Sequence, residues 1–285
     1  MPYIGCHVSA AGGIENVPVR GKDLGCDAIQ VFTSNQMQWK GRPISTESCK
    51  QFIDGLKDVG IRKVVTHDSY LINLGSPDPV KLEKSRQAFI EEIQRSTYLE
   101  IPYIIFHPGS HMGEGEKIAL ETIARSLDYS IESTPDSEVM LLLENTAGQG
   151  SNVGYRFEHL REIIDYSKYP ERLGVCYDTC HGFSAGYDMV SDEAYESTFK
   201  KFDDIVGLEK LQAFHLNDGK RELGSRIDRH ECLGKGKIGW EPFFRLVNDR
   251  RFSELPMILE TPGGDENFAF EIAELKKSLV TKRDS

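Results

Sequence analysis

Residues 174–188 read GVCYDTCHGFSAGYD. The apolar run that begins at Gly174 stops at Asp178, and His181 follows three positions on, so one strand end offers two divalent-metal ligand types within a single turn. The run is apolar without alternating, the pattern of a strand covered on both faces, as in a parallel sheet. The same event, an apolar run that closes on His, Asp or Glu, recurs along the chain.

Working outward, comparable runs lie at Tyr3–Val8, Ala28–Phe32, Lys63–Thr66, Tyr103–Phe106, Val139–Leu143, Leu173–Tyr177, Leu211–Leu216 and Pro256–Leu259. Segments of helical spacing separate them. Phe52, Leu56 and Val59 share one face, as do Leu160, Ile163 and Ile164, and Phe268, Ile272, Leu275 and Leu279 form a terminal stripe behind Asp265, the expected N-cap. Strand and helix alternate throughout, which predicts an α/β fold, a (β/α)8 TIM barrel, in a single domain over residues 1–285. A doubly wound open sheet is the alternative, but no glycine fingerprint of the dinucleotide type follows the first run.

The chain has 285 residues and a formal net charge of -11. That balance argues against a protein that holds nucleic acid by bulk charge, so only a local positive site would bind it. Six cysteines are scattered without a repeating pair spacing, the start MPYIGCHV carries no basic and apolar signal segment, and no stretch of about 18 apolar residues occurs. These features predict a reducing, cytoplasmic protein outside the membrane.

In a barrel the C-terminal strand ends share one rim. His67, His107, Glu144, Asp178 and Glu260 close runs three, four, five, six and eight, and His215 falls within run seven. Six consecutive strands thus deliver imidazoles and carboxylates to one mouth, an arrangement that is costly without cations. Such donors suit zinc, manganese or iron in a catalytic site. His181, Asp228 and His230 stand just outside this ring, the last two at an i, i+2 spacing that lets both face the same way in an extended segment. Cys176 and Cys180 lack Cys-x-x-Cys spacing and are expected in the core. His159 lies in a helical pattern and is expected at the surface, whereas His7 and His111 lie near strand ends, where they would support ligands from behind or touch substrate.

The segments IGCHVSAAGG (4–13), HDSYLINLG (67–75), FHPGSH (106–111), LENTAGQGSNVG (143–154), HLND (215–218), GSRIDRHECLGKGKIG (224–239) and ILET (258–261), with the opening stretch, resemble those of endonuclease IV, the zinc-dependent apurinic/apyrimidinic endonuclease family. The resemblance runs nearly end to end. It implies three zinc ions: the first on His67, His107 and Glu144, the second on Glu144, Asp178, His215 and Glu260, and the third on His181, Asp228 and His230. Manganese is an alternative occupant of some sites. It also implies a DNA-repair nuclease of base excision repair that cuts 5′ to abasic sites, leaving 3′-hydroxyl and 5′-deoxyribose phosphate ends. In that chemistry Glu144 and Glu260 are the catalytic carboxylates, and the first two ions with Glu144 activate the attacking water. Removal of 3′ blocking groups is a further reaction of the same kind. A monomer is expected.

Substrate recognition follows from the same resemblance. Tyr70 and Leu71 match wedge positions that enter the DNA stack while the abasic nucleotide is flipped out of the duplex. The loop QVFTSNQMQW departs from the family pattern: Met37 stands where better-known members carry an arginine, so a cation is lost but an unbranched apolar side chain is kept. Arg226 and Arg229, with Lys235 and Lys237, are candidate phosphate contacts. Gly148, Gly150 and Gly154 would permit close backbone approach to DNA. Two other readings stand beside this one. A sugar isomerase or epimerase would use the Glu144, Asp178, His215 and Glu260 quartet but not the third metal group or the wedge. A non-catalytic lesion- or metal-binding module would need no shared carboxylate.

Overall fold

The computed structural model describes residues 1–280. Its strands are β1 (Tyr3–His7), β2 (Ala28–Val31), β3 (Lys63–His67), β4 (Tyr103–Phe106), β5 (Met140–Glu144), β6 (Leu173–Asp178), β7 (Leu211–Leu216) and β8 (Pro256–Leu259). All are parallel to their neighbours and close into a barrel in sequence order, β8 pairing with β1. Each expected run is a strand, with ends shifted by at most one residue. Around them lie α1 (Val17–Asp23), α2 (Thr46–Val59), α3 (Pro79–Tyr98), α4 (Glu116–Glu132), α5 (Phe157–Tyr166), α6 (Thr179–Ala185), α7 (Asp192–Ile205), α8 (Trp240–Asn248) and α9 (Asp265–Lys277). Asp265 is the first residue of α9, and Gly264 takes the cap position expected of Asp265. No helix of the described residues is long and apolar enough to cross a membrane.

The non-alternating strands are explained by two separate burial environments. Ala28, Val65, Ile105, Leu142, Cys176, Ala213 and Ile258 fill the barrel interior. Residues such as Ile4, Ile29, Val64, Ile104, Leu141, Val175 and Phe214 belong to the larger core under the helices. The eighth interior place falls to Gly5, level with Ala28 and Ile258. A Cβ there would stand 1.6 Å from the Ala28 carbonyl oxygen, so only glycine fits.

Side chains two apart on a strand face the same way. Two residues beyond that apolar layer the chain carries, strand by strand, His7, Gln30, His67, His107, Glu144, Asp178, His215 and Glu260. The barrel therefore ends in a polar layer to which every strand contributes one side chain, at the C-terminal mouth where barrel enzymes place their sites.

Candidate metal centre

Glu144 ends β5 and is 1% exposed. Its Oε2 faces His67 Nε2 at 3.0 Å and His107 Nε2 at 3.3 Å. Its Oε1 faces His215 Nδ1 and His181 Nδ1, both at 3.1 Å. His215 Nδ1 in turn lies 3.2 Å from Glu260 Oε2 and 3.9 Å from Asp178 Oδ2. Ligand atoms of His67, His107 and Glu144 converge within 4.8 Å, and so do those of Glu144, Asp178, His215 and Glu260. Glu144 is common to both groups.

Carbonyl oxygens only accept, so the partners of these rings fix their tautomers. His67 Nδ1 donates to the Asp68 carbonyl at 2.9 Å, leaving Nε2 bare toward Glu144. His181 Nδ1 donates to the Asn145 carbonyl at 3.0 Å. His215 Nε2 donates to Gln30 Oε1 at 2.7 Å, leaving Nδ1 bare. The carboxylates are braced by two asparagines that follow ligand positions in the chain. Asn145 accepts from the Asp178 backbone N–H at 2.7 Å and donates to its carbonyl at 3.0 Å. Asn217 donates to Asp178 Oδ2 at 2.7 Å and accepts from the Glu260 backbone N–H at 3.1 Å. Gln30, Asn145 and Asn217 were not among the residues expected from sequence. Their signal was available: an Asn directly after Glu144, an Asn two after His215, and a Gln two beyond Ala28.

A further group stands outward. Asp178 caps α6, accepting the His181 N–H at 2.7 Å, so His181 is held in the first turn with Nε2 pointing away from the barrel. His181 Nε2 lies 3.3 Å from Asp228 Oδ2, His230 Nε2 lies 3.4 Å from Asp228 Oδ1, and the two Nε2 atoms are 3.4 Å apart. His230 sits on a two-residue strand with Glu231, paired antiparallel with Asp218–Gly219. Buried Asp218 holds the loop after this strand. Its Oδ1 accepts from the backbone N–H of Gly219 (2.8 Å) and Ile238 (2.9 Å), and its Oδ2 from Gly234 (3.0 Å), Gly236 (3.0 Å) and Gly239 (3.2 Å). A Cβ on Gly236 would fall 2.4 Å from Asp218 Oδ1, so the loop can wrap the carboxylate only as glycine.

The cysteines divide. Cys176 is in the apolar layer, as expected of a core residue, and burial pushes its thiol up to about 12. Cys180 is also fully buried, but its sulfur lies within 4.8 Å of ligand atoms of Asp228 and His230 and donates weakly to the Arg229 carbonyl at 3.7 Å. Burial pushes this thiol up to about 12 as well. His159 is not at the surface. It is fully buried in α5, where Nδ1 accepts from the Gly154 N–H at 3.2 Å and Nε2 lies 3.3 Å from Glu116 Oε2, because it shares the inward face with Ile163 one turn on. His7 reaches the polar layer through Gln30 Nε2 at 3.3 Å, and His111 is spent in its own loop on the Gly113 N–H at 3.2 Å.

The electrostatics show what this donor set wants. Burial alone would depress His67, but the hydrogen bond and charge of Glu144 override it and raise the ring to about 9. His181 and His215 are raised well above the usual range against burial, His181 by Asp178 and Asp228 and His215 chiefly by Cys176, Glu260 and Glu144. Burial would push Glu144 up, yet the surrounding imidazoles hold it well below the ordinary carboxylate range. Glu260 is likewise pulled down against burial to about 2 by His215. Four carboxylates and five imidazoles thus gather at one mouth and attract positive charge into it. Divalent cations fit the donors and the demand.

Of the rim residues, Tyr70 is 64% exposed, with its ring 5.9 Å from that of His67 and 6.0 Å from that of His107. Leu71 beside it is half-buried. Met37 is 79% exposed in the loop after β2, which Ser69 ties to the Tyr70 loop by donating to the Gln36 carbonyl at 2.6 Å. A groove of about 970 Å³ opens beside them, walled by His7, Phe32, Asn35, Gln38, Arg42 and Arg95. Arg226 lies over the Tyr155 ring at 4.4 Å, and Arg229 is exposed, donating to the Asp228 carbonyl at 2.5 Å. Lys237 is paired with Glu222 at 2.6 Å.

Fold and site together define a TIM barrel with clustered metal-ligand side chains at its C-terminal mouth. Residues 20–278 match the family model described as a xylose isomerase-like TIM barrel. The chain is 50% identical over 282 residues to a probable endonuclease 4 of Geotalea daltonii, an alignment covering 99% of each chain. It superposes on the crystal structure of endonuclease IV from Thermus thermophilus with a TM-score of 0.86 and 34% identity, covering 97% of this chain and 98% of that one. The chain belongs to the endonuclease IV family. A D-tagatose 3-epimerase-like protein, at 17% identity and a TM-score of 0.73 over 97% of this chain and 96% of that one, shares the fold alone.

Proposed function

We propose that this protein is a DNA-repair endonuclease that hydrolyses the phosphodiester 5′ to abasic sites in duplex DNA, leaving 3′-hydroxyl and 5′-deoxyribose phosphate ends. The observation that carries the reading is Glu144, buried and shared between two donor groups, with a third donor group directly outside it. His67, His107 and Glu144 would hold one zinc ion, Glu144, Asp178, His215 and Glu260 a second, and His181, Asp228 and His230 a third, with manganese able to replace zinc in some sites. Zinc there supplies charge to the phosphoryl oxygens and lowers the pKa of the attacking water. Four ligand carboxylates against three divalent ions leave the mouth net positive, which answers the acidity of the whole chain.

The protein's own groups do the rest. Glu144 and Glu260 present acceptor oxygens at the inner group, where they orient the water and receive its proton. Tyr70 projects from the strand end that carries His67, so a base stack wedged by Tyr70 and Leu71 would set the empty nucleotide over the polar layer. Met37 extends the wedge from the linked loop, and Arg226 and Arg229 offer cations to phosphates on the other side. An epimerase needs only the inner quartet and has no use for the outer trio or for an aromatic ring exposed at the rim.

The test is a duplex with one abasic-site analogue, an undamaged duplex of the same sequence, and the Glu144→Ala protein. Cutting of the abasic duplex alone, lost in Glu144→Ala, is the expected result. Equal cutting of both duplexes, or full activity in the variant, defeats the reading.

A further inference from the structure

Gln30 on β2 is fully buried in the polar layer, and every polar atom of its amide is committed. Its Nε2 donates to Glu260 Oε1 at 2.5 Å and to His7 Nδ1 at 3.3 Å. Its Oε1 accepts from His215 Nε2 at 2.7 Å. The orientation of the amide is dictated by Glu260. A carboxylate has no hydrogen to give, so the NH2 end must face it and the carbonyl end must face His215. A carbonyl likewise only accepts, so the hydrogen of His215 must sit on Nε2. The Nδ1 lone pair is then directed at the point bounded by Glu144 at 3.1 Å and Glu260 at 3.2 Å. His7 makes the arrangement rigid by taking the second amide hydrogen, with its own ring packed against Phe32 at 4.2 Å.

We propose that Gln30 is the positioning residue of the second metal site: one amide selects the His215 tautomer that can ligate and aims Glu260 at the same ion. The inference rests on the reading that this cluster holds zinc. Removal of the amide leaves His215 Nε2 without its acceptor and Glu260 Oε1 without its donor, and such outer partners are worth about 10- to 100-fold in metal affinity.

The experiment uses the full chain as wild type, Gln30→Met and Gln30→Glu, stripped of metal and titrated with zinc alone against a chromophoric chelator. Gln30→Met keeps the length and loses both hydrogen-bonding ends. Gln30→Glu keeps an acceptor for His215 but turns an oxygen toward Glu260. The expected result is three zinc ions in wild type, and in both variants one ion bound about 10- to 100-fold more weakly while the other two are unchanged. Cleavage of an abasic duplex should lose kcat with KM kept, because the DNA-facing rim is untouched. Wild-type zinc affinity at all three sites in the variants overturns the proposal, and uniform weakening of all three makes Gln30 a packing residue instead. A wild type that takes up no zinc would instead sink the metal reading itself. Histidine 15N resonances of the zinc-loaded wild type decide the matter independently of how well the variants fold: His215 must carry its proton on Nε2, and a proton on Nδ1 refutes the assignment.

Discussion

Asp218→Asn changes one atom and removes the charge that gathers the loop from Gly234 to Gly239. Five backbone N–H groups point at this carboxylate, two at Oδ1 and three at Oδ2. An asparagine can keep its oxygen on only one set. With the oxygen on the larger set, its NH2 confronts the N–H groups of Gly219 and Ile238, both buried. Each buried donor left without an acceptor costs about 1–3 kcal/mol, so the pair costs roughly 4 kcal/mol before the weakening of the other three bonds is counted. Against a total stability on the order of 5–15 kcal/mol that is a large fraction. At roughly 2–4 °C per kcal/mol for a chain near this size, Tm should fall by about 10 °C in a calorimetric scan. Because the same carboxylate residue pairs with the strand carrying His230, limited proteolysis should nick the Gly234–Gly239 loop, and zinc bound at the site proposed on His181, Asp228 and His230 should be the first released to a chelator. A Tm within about 2 °C of wild type, with no new cleavage in that loop, would refute the claim that this carboxylate organises it.

Two other outcomes follow from the structure. Glu92, buried in α3 beneath the Thr33 hydroxyl, is raised by burial from 4.5 to about 7 despite that hydrogen bond. Between those values the folded chain keeps a proton that the unfolded chain has released, so stability falls as pH rises through the window, by at most about 3 kcal/mol in all. Glu92→Gln should flatten that part of the urea-unfolding profile and be the more stable protein at pH 8; an unchanged slope would contradict the assignment. Tyr70→Ala combined with Leu71→Ala should weaken binding to an abasic duplex by roughly 10- to 100-fold, the worth of a stacked base or two, while bound zinc stays constant. Fluorescence anisotropy with metal analysis on the same sample checks this, and loss of zinc would make the two residues structural.

The strands were legible because most are continuous apolar runs bounded by polar residues, and the interior layer of Val65, Ile105 and Leu142 explains why they do not alternate. Five of the eight polar-layer residues were legible as run endings, and His215 as the last polar residue within its run. Gln30 was not, because an amide does not resemble a ligand and its strand run continues past it to Phe32. The period-two step from Ala28 would have found it. Asp218 and Glu92 were illegible for another reason: apart from Gly219, the partners of Asp218 lie 16 to 21 residues away in the chain, and the partner of Glu92 lies 59 away. His159 was misjudged because its polarity was weighed above its position one turn before Ile163. Asp228 and His230 were readable from spacing, whereas the approach of Cys180 to them depends on how α6 meets the hairpin.

The layer of one polar side chain per strand also sets the terms on which this chain can change. A single residue inserted between Ala28 and Gln30, or between Leu142 and Glu144, would turn that side chain from the mouth to the helices, since facing alternates at each step. The strands therefore behave like a reading frame in which only substitutions are neutral to the site. Loops beyond the layer carry no such frame, so the segments around Met37, Tyr70 and Arg226 can lengthen or shorten while the eight positions below them stay in step. Divergence in what the rim grips is separable from constancy in what the mouth holds.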